Sequence, residues 1–222
     1  MAPGRHGANE SSFALRVRAG RGPARLEAAA TGRESVADQG ATALLVIDIQ
    51  NFYFEGGRLA LAGPVEASRN ARRLLDRFRA RGWPVIHVQH LPEGAEAPCP
   101  DSGDAATRIH PDVLPLPGEL VIVKHHANAF RGTGLEGALR ERGAGRLVIC
   151  GMQTHMCVEA AARAGADLGF EVTVIHDACA TRALGFGGTK VPAPHVHATA
   201  LAAIANMYGR VVSTEELLAE VC

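Results

Sequence analysis

The chain has 222 residues, and Lys plus Arg equals Asp plus Glu at 23 each, so no net field points to a nucleic acid or a membrane surface. Apolar residues make up 47% and charged residues 21%, proportions of an ordinary globular domain large enough to bury a full core. No apolar run approaches the roughly 20 residues of a membrane span. The cysteines at 99, 150, 157, 179 and 222 form neither a CxxC pair nor a disulfide framework, which predicts free thiols in a reducing cytoplasm.

Residues 1–40 are rich in Arg, Ala, Gly and Ser, with Glu10, Glu27, Glu34 and Asp38 interspersed, and lack the apolar core of a secretory signal. They predict a disordered extension ahead of one domain spanning 41–222. From there β-branched runs alternate with helical segments. Strands are predicted at Ala43–Asp48, Pro84–Gln89, Leu120–Lys124, Arg146–Cys150, Glu171–His176 and Arg210–Ser213. Helices are predicted from about Pro64 to Arg81, Thr133 to Arg142, His155 to Leu168 and Pro194 to Met207, with a short one from Thr214. Runs apolar on both faces, separated by helices, indicate a parallel sheet covered on both sides. The proline-rich stretch from Leu91 to Pro117 follows a strand C-terminus, where open α/β sheets bind ligands, and reads as a substrate-covering loop or a plain surface excursion.

Three strand ends carry chemistry. Leu44-Leu45-Val46-Ile47 runs into Asp48, Val121-Ile122-Val123 runs into Lys124, and Leu147-Val148-Ile149-Cys150 leads through Gly151-Met152-Gln153-Thr154-His155-Met156 to Cys157 at the start of an Ala-rich helix. A helix N-terminus favours a thiolate and offers N–H groups to a developing oxyanion. A thiol, a carboxylate and an ammonium together make a nucleophile with its base and charge partner. Alone, Cys157 would read as an inert core thiol; the joint pattern reverses that. No G-x-G-x-x-G opens a helix and no Walker pattern occurs, so no dinucleotide or phosphate cofactor is expected.

Asp48-Ile49-Gln50-Asn51-x-x-Phe54-Glu55-Gly56-Gly57-x-Leu59, then Lys124, then Gly151-x-x-Thr154-x-x-Cys157-Val158 resembles the isochorismatase-like cysteine hydrolases over about residues 43–213. The resemblance implies a three-layer α/β/α, Rossmann-like fold with a six-stranded parallel sheet, Asp48, Lys124 and Cys157 as catalytic triad, and a cis peptide at Met152-Gln153 that turns the Gln153 N–H, with that of Cys157, toward the oxyanion. Asp48 to Leu61 looks most like a nicotinamidase, but the Asp-x-His metal unit of those enzymes is absent after His87-Val88-Gln89-His90, so no metal is expected. The Gly-Met-Gln-Thr-His-Met-Cys segment looks like the streptothricin-hydrolase side of the superfamily. The implied activity is hydrolysis of a small-molecule C–N bond, an amide or lactam, with ureides, biuret-type substrates and nicotinamide as alternatives; a non-catalytic binding protein or a thiol redox protein on the same scaffold are the other classes. Gln50, Phe54, His90 and Phe130 are candidate substrate-pocket residues, core packing being an equal reading for the two phenylalanines. No nucleic-acid or membrane partner is expected, and the resemblance leaves a homo-oligomer open.

Overall fold

Seven residues from Ala41 to Ile47 form the first strand, β1, and bury alternate side chains on opposite faces. Ala43, Leu45 and Ile47 enter one core layer, Leu44 and Val46 the other. This two-sided burial is why the run lacks polar alternation, and it marks β1 as a central strand. The computed structural model describes residues 40–91 and 105–221.

The remaining elements follow in chain order: α1 (Pro64–Ala80), β2 (Val85–His90), β3 (Leu120–Lys124), α2 (Leu135–Glu141), β4 (Ala144–Met152), α3 (Glu159–Asp167), β5 (Glu171–Ala180), β6 (Leu184–Phe186), β7 (Thr189–Val191), α4 (Ala193–Met207), β8 (Arg210–Val212) and α5 (Thr214–Glu220). Six strands form one parallel sheet, as the sequence predicts, and their order is β3-β2-β1-β4-β5-β8. The core on one face packs Leu135 and Leu139 of α2, Ala161 and Ala162 of α3 and Ile204 of α4. The opposite face packs Ala67, Ala71, Leu74, Leu75 and Phe78 of α1, spaced to line one side of a helix, with Leu217 of α5. Ser213 caps α5 through a reciprocal capping box with Glu216.

Chain order in the sheet reverses between β1 and β4, so the loops leaving these two strands diverge and open a crevice at their C-terminal ends. The strands approach closely there because residue 151 is glycine. A Cβ at Gly151 would lie 1.9 Å from the Ile47 carbonyl oxygen, and its φ of 137° is one that side chains rarely adopt.

Three sequence expectations change. The predicted helix from His155 begins as a wider π-type turn over Thr154–Val158, and regular α3 starts only at Glu159. The glycine-rich Gly185–Gly188 stretch belongs to a β6–β7 hairpin absent from the sequence reading; Gly187 (φ 55°) and Gly188 (φ 80°) make its two-residue turn. Edge strand β3 is covered on one face only, leaving Val121 and Val123 exposed. Residues 92–104 of the predicted covering loop, residues 1–39 and Cys222 lie outside the described residues. Among those described, no helix is long and apolar enough to cross a membrane.

Candidate active site

Asp48 directly follows β1 and takes a left-handed backbone conformation (φ 51°), which Asp tolerates better than most residues because its side chain is short and polar. Its N–H donates to the Val88 carbonyl oxygen of β2 at 2.9 Å, fixing the turn on which the carboxylate is carried. Lys124 is the last residue of β3 and stands opposite His90, the last of β2. Cys157 occupies the π-type turn after β4, whose Met156 and Val158 N–H groups both donate to the Gln153 carbonyl oxygen. Asp48 and Lys124 are fully buried, and Cys157 nearly so.

The three side chains meet around the Lys124 ammonium. Its Nζ lies 2.8 Å from Asp48 Oδ2 and donates to Cys157 Sγ at 3.2 Å, to His90 Nδ1 at 3.0 Å and to the His126 carbonyl oxygen at 3.0 Å. Lys124 and the Cys157 thiol apart, neither oxygen of Asp48 has a hydrogen-bond partner among the described residues. Burial therefore raises the Asp48 pKa, with only part of the rise offset by Lys124 and the thiol. Burial also pulls against the Lys124 charge, but Asp48 and Cys157 outweigh it and leave the lysine pKa above its usual value. For Cys157, burial and the neighbouring carboxylate push the thiol well up, more than Lys124 pulls it down. The thiolate-favouring effect of a helix N-terminus is thus outweighed here by burial and the Asp48 carboxylate, and the thiol stands beside a buried base.

Asp48, His90 and Cys157 are the one group of His, Cys, Asp or Glu with metal-ligand spacing among the described residues. The Lys124 ammonium lies within hydrogen-bonding reach of all three, taking the space a cation would fill. The donor set does not fit a metal while that ammonium is in place.

The other predicted residues divide. The Met152-Gln153 peptide is cis, at the crevice between β1 and β4. The Gln153 side chain is held by Tyr53 Oη at 3.4 Å and by Arg182 Nε at 3.3 Å, two residues the sequence did not flag. His90 stands against the ammonium rather than out in a pocket. Gln50 is corrected to a scaffold residue: its Nε2 donates to the carbonyl oxygens of His90 (3.0 Å) and Thr107 (2.6 Å), and its Oε1 accepts from His90 N (2.9 Å). With both ends of the amide occupied, it has no free donor–acceptor pair for a ligand. Phe54 packs in the α1-side core with its ring stacked on His110 at 3.7 Å. Phe130 is corrected in the same way; it packs against the α3-side core and stacks on Phe170, which precedes β5 at the opposite end of the sheet. Core packing is what both phenylalanines do. The His126 carbonyl was invisible to sequence reading because a backbone oxygen carries no residue signature, whereas the His90–Lys124 meeting follows once β2 and β3 are paired in register.

The parallel sheet between helical layers, with chemistry gathered at its switch point, defines an α/β hydrolase-type fold. Residues 42–216 match the isochorismatase domain, and the chain belongs to the isochorismatase family. It is 47% identical over 177 residues to the isochorismatase family protein YddQ of Bacillus subtilis (strain 168), covering 80% of this chain and 98% of that one. A crystal structure of an isochorismatase-type hydrolase from Oleispira antarctica superposes with a TM-score of 0.78 at 44% identity, covering 81% and 96%. A streptothricin hydrolase of Streptomyces noursei is 35% identical over 139 residues, covering 63% of this chain and 49% of the hydrolase.

Proposed function

We propose that this family member is a cysteine-dependent hydrolase of a C–N bond in a small amide or cyclic amide. The observation that carries the reading is the buried contact of Asp48, Lys124 and Cys157 through one ammonium. In the first step Asp48 accepts the Sγ proton and the negative charge passes to sulfur beside Lys124; as sulfur bonds to the substrate carbonyl carbon, the charge passes on to the oxyanion. Backbone N–H groups of Gln153 and Cys157 hold that oxygen. Collapse breaks the C–N bond, the proton on Asp48 goes to the leaving nitrogen, and an amine departs from a thioester on Cys157. Asp48 then takes a proton from water, hydroxide adds to the thioester, and the acid leaves as the thiol is restored. A carboxylate with a raised pKa suits both roles, because it accepts a proton more readily than an ordinary carboxylate and is still acidic enough to give it to the leaving nitrogen.

The similarity to streptothricin hydrolase supports the C–N reading, and lactam opening is the sub-class we favour. Retention of a cysteine at the nucleophile position also favours acyl transfer over the C–O cleavage for which the family is named. Lys124 fills the cation position, so no step is assigned to a metal. The test is a panel of amides, lactams, ureides, biuret and nicotinamide, assayed for amine release or ring opening, with hydroxylamine present to intercept a thioester. Turnover of a lactam or amide, and its absence in Cys157→Ala, is the expected result. Full activity in Cys157→Ala would overturn the covalent route.

A further inference from the structure

The Lys124 ammonium has three N–H groups but four acceptors in reach: Asp48 Oδ2, His90 Nδ1, the His126 carbonyl oxygen and Cys157 Sγ. Two of these, Asp48 and Cys157, exchange a proton during the proposed reaction, so the charge on each changes. The other two stay neutral throughout. We propose that His90 is a positioning residue whose Nδ1, with the His126 carbonyl oxygen, anchors two ammonium N–H groups so that the third can pass between Asp48 and Cys157 as negative charge moves between them. This rests on the reading of Cys157 as nucleophile.

Each feature of His90 fits that task. Its backbone is pinned on both sides by the Gln50 amide, which fixes the ring's origin at the end of β2. Its Nδ1 can accept from an ammonium only if it carries no proton, which places the ring hydrogen on Nε2. The surroundings keep it so: burial, then the charges of Lys124, His125 and His126, lower the His90 pKa to about 4. Among the described residues Asp48 is the one carboxylate beside the ring, 3.9 Å from Nδ1, and Lys124 Nζ is nearer at 3.0 Å. Cys157 Sγ is also 3.9 Å from Nδ1, a long contact beside the 3.2 Å from Sγ to the Lys124 ammonium, so the nearer partner of Nδ1 is the lysine. As the Sγ–H bond breaks and an O–H bond forms on Asp48, the carboxylate loses its hold on the ammonium and sulfur gains one. Without a fixed anchor Nζ would follow the carboxylate in the resting state and leave the sulfur unsupported.

Three substitutions of similar bulk separate acceptor from shape. His90→Leu fills the space with no acceptor. His90→Asn can put an oxygen where Nδ1 stood, and His90→Gln puts one nearer the Nε2 position. The readout is the pH dependence of Cys157 alkylation by iodoacetamide, followed by intact mass, which needs no knowledge of the substrate. The midpoint should move to higher pH in His90→Leu and His90→Gln and return toward wild type in His90→Asn. Turnover of whichever panel compound is active should fall about 10²-fold in kcat for His90→Leu, with less change in KM, since a small misplacement of a catalytic group has that effect. Thermal melting verifies that each variant is folded, and the Asn–Gln contrast decides the matter even if the Leu variant is not. A wild-type alkylation profile in His90→Gln, or an Asn variant no better than Gln, would overturn the proposal. Loss of activity in Cys157→Ala alongside either of those results would leave the nucleophile standing and remove only the anchor.

Discussion

Two clusters, each of one carboxylate, one cation and one histidine, lie toward opposite ends of β2 and β3: Asp48, Lys124 and His90 at the C-terminal edge, and Glu119, Arg79 and His87 toward the other. In the second, Arg79 grips both carboxylate oxygens of Glu119 at 2.8 Å, while the Leu116 N–H (2.8 Å) and His87 Nε2 (3.0 Å) bind Oε2. Burial pushes the Glu119 pKa up, but these donors overcome it and hold the carboxyl at about 2. Asp48 is more deeply buried, has one cation and one thiol, and its pKa goes up. Depth of burial first, and then donor number, rather than the presence of a cation, separates a carboxylate locked as an anion from one ready to take a proton.

The comparison predicts opposite outcomes for the same chemical change. Asp48→Asn should lower kcat/KM by about 10²–10⁴-fold, the usual worth of a general base, whereas Glu119→Gln should leave turnover within about twofold. Equal losses in the two variants would show that the clusters are coupled and that the contrast is wrong. For stability, Lys124→Met leaves the Asp48 charge buried without its partner and should cost about 3–5 kcal/mol by urea denaturation. Glu119→Gln, at a partly solvated site and keeping one of the two acceptor oxygens, should cost about 1–3 kcal/mol.

Acid should separate the clusters further. The folded His90 has its pKa lowered from 6.5 to about 4, so the unfolded chain binds its proton first. The stability it contributes is present above about pH 6.5 and is lost as pH falls toward 4; His87, lowered chiefly by burial, acts in the same direction. Glu119 contributes stability that is present above its ordinary value of 4.5 and lost as pH falls toward 2. The urea midpoint of the wild type should therefore drop from pH 7 to 4.5, less steeply in His90→Asn and more steeply in Glu119→Gln, which removes the charge that holds the His87 pKa up. Below pH 4.5 the Glu119→Gln protein should be the less acid-sensitive of the two. The smallest expected effect is that of EDTA. With an ammonium already held by Asp48, His90 and Cys157, exhaustive chelation should leave the rate unchanged, and restoration of a lost rate by one divalent ion would show that the ammonium can be displaced.

Much of the site was legible because Asp48 and Lys124 stand at the ends of visible apolar runs and Cys157 follows a third. Asp48 ends Leu44–Ile47, Lys124 ends Val121–Val123, and Cys157 opens a helical segment after a glycine-marked turn. The resemblance of their motifs to one family then implied a six-stranded parallel sheet, whose strand order only the structure supplies. Pocket residues were far less legible. Gln50 looks like a ligand-binding amide in the sequence, yet its hydrogen bonds are taken by backbone groups 40 and 57 residues away. Phe130 follows Lys124 by only a few residues, but the chain carries it to a phenylalanine at the far end of the sheet.

Local sequence therefore determined the strands, most of the helices and which residues would stand at strand ends, because periodicity and glycine stops act over a few residues. Tertiary structure decided what those residues are at rest. The protonation of Cys157, the raised pKa of Asp48 and the neutrality of His90 depend on burial and on charges brought from four separate segments. Desolvation and Coulomb energies follow distance in space, which the order of residues along the chain does not give.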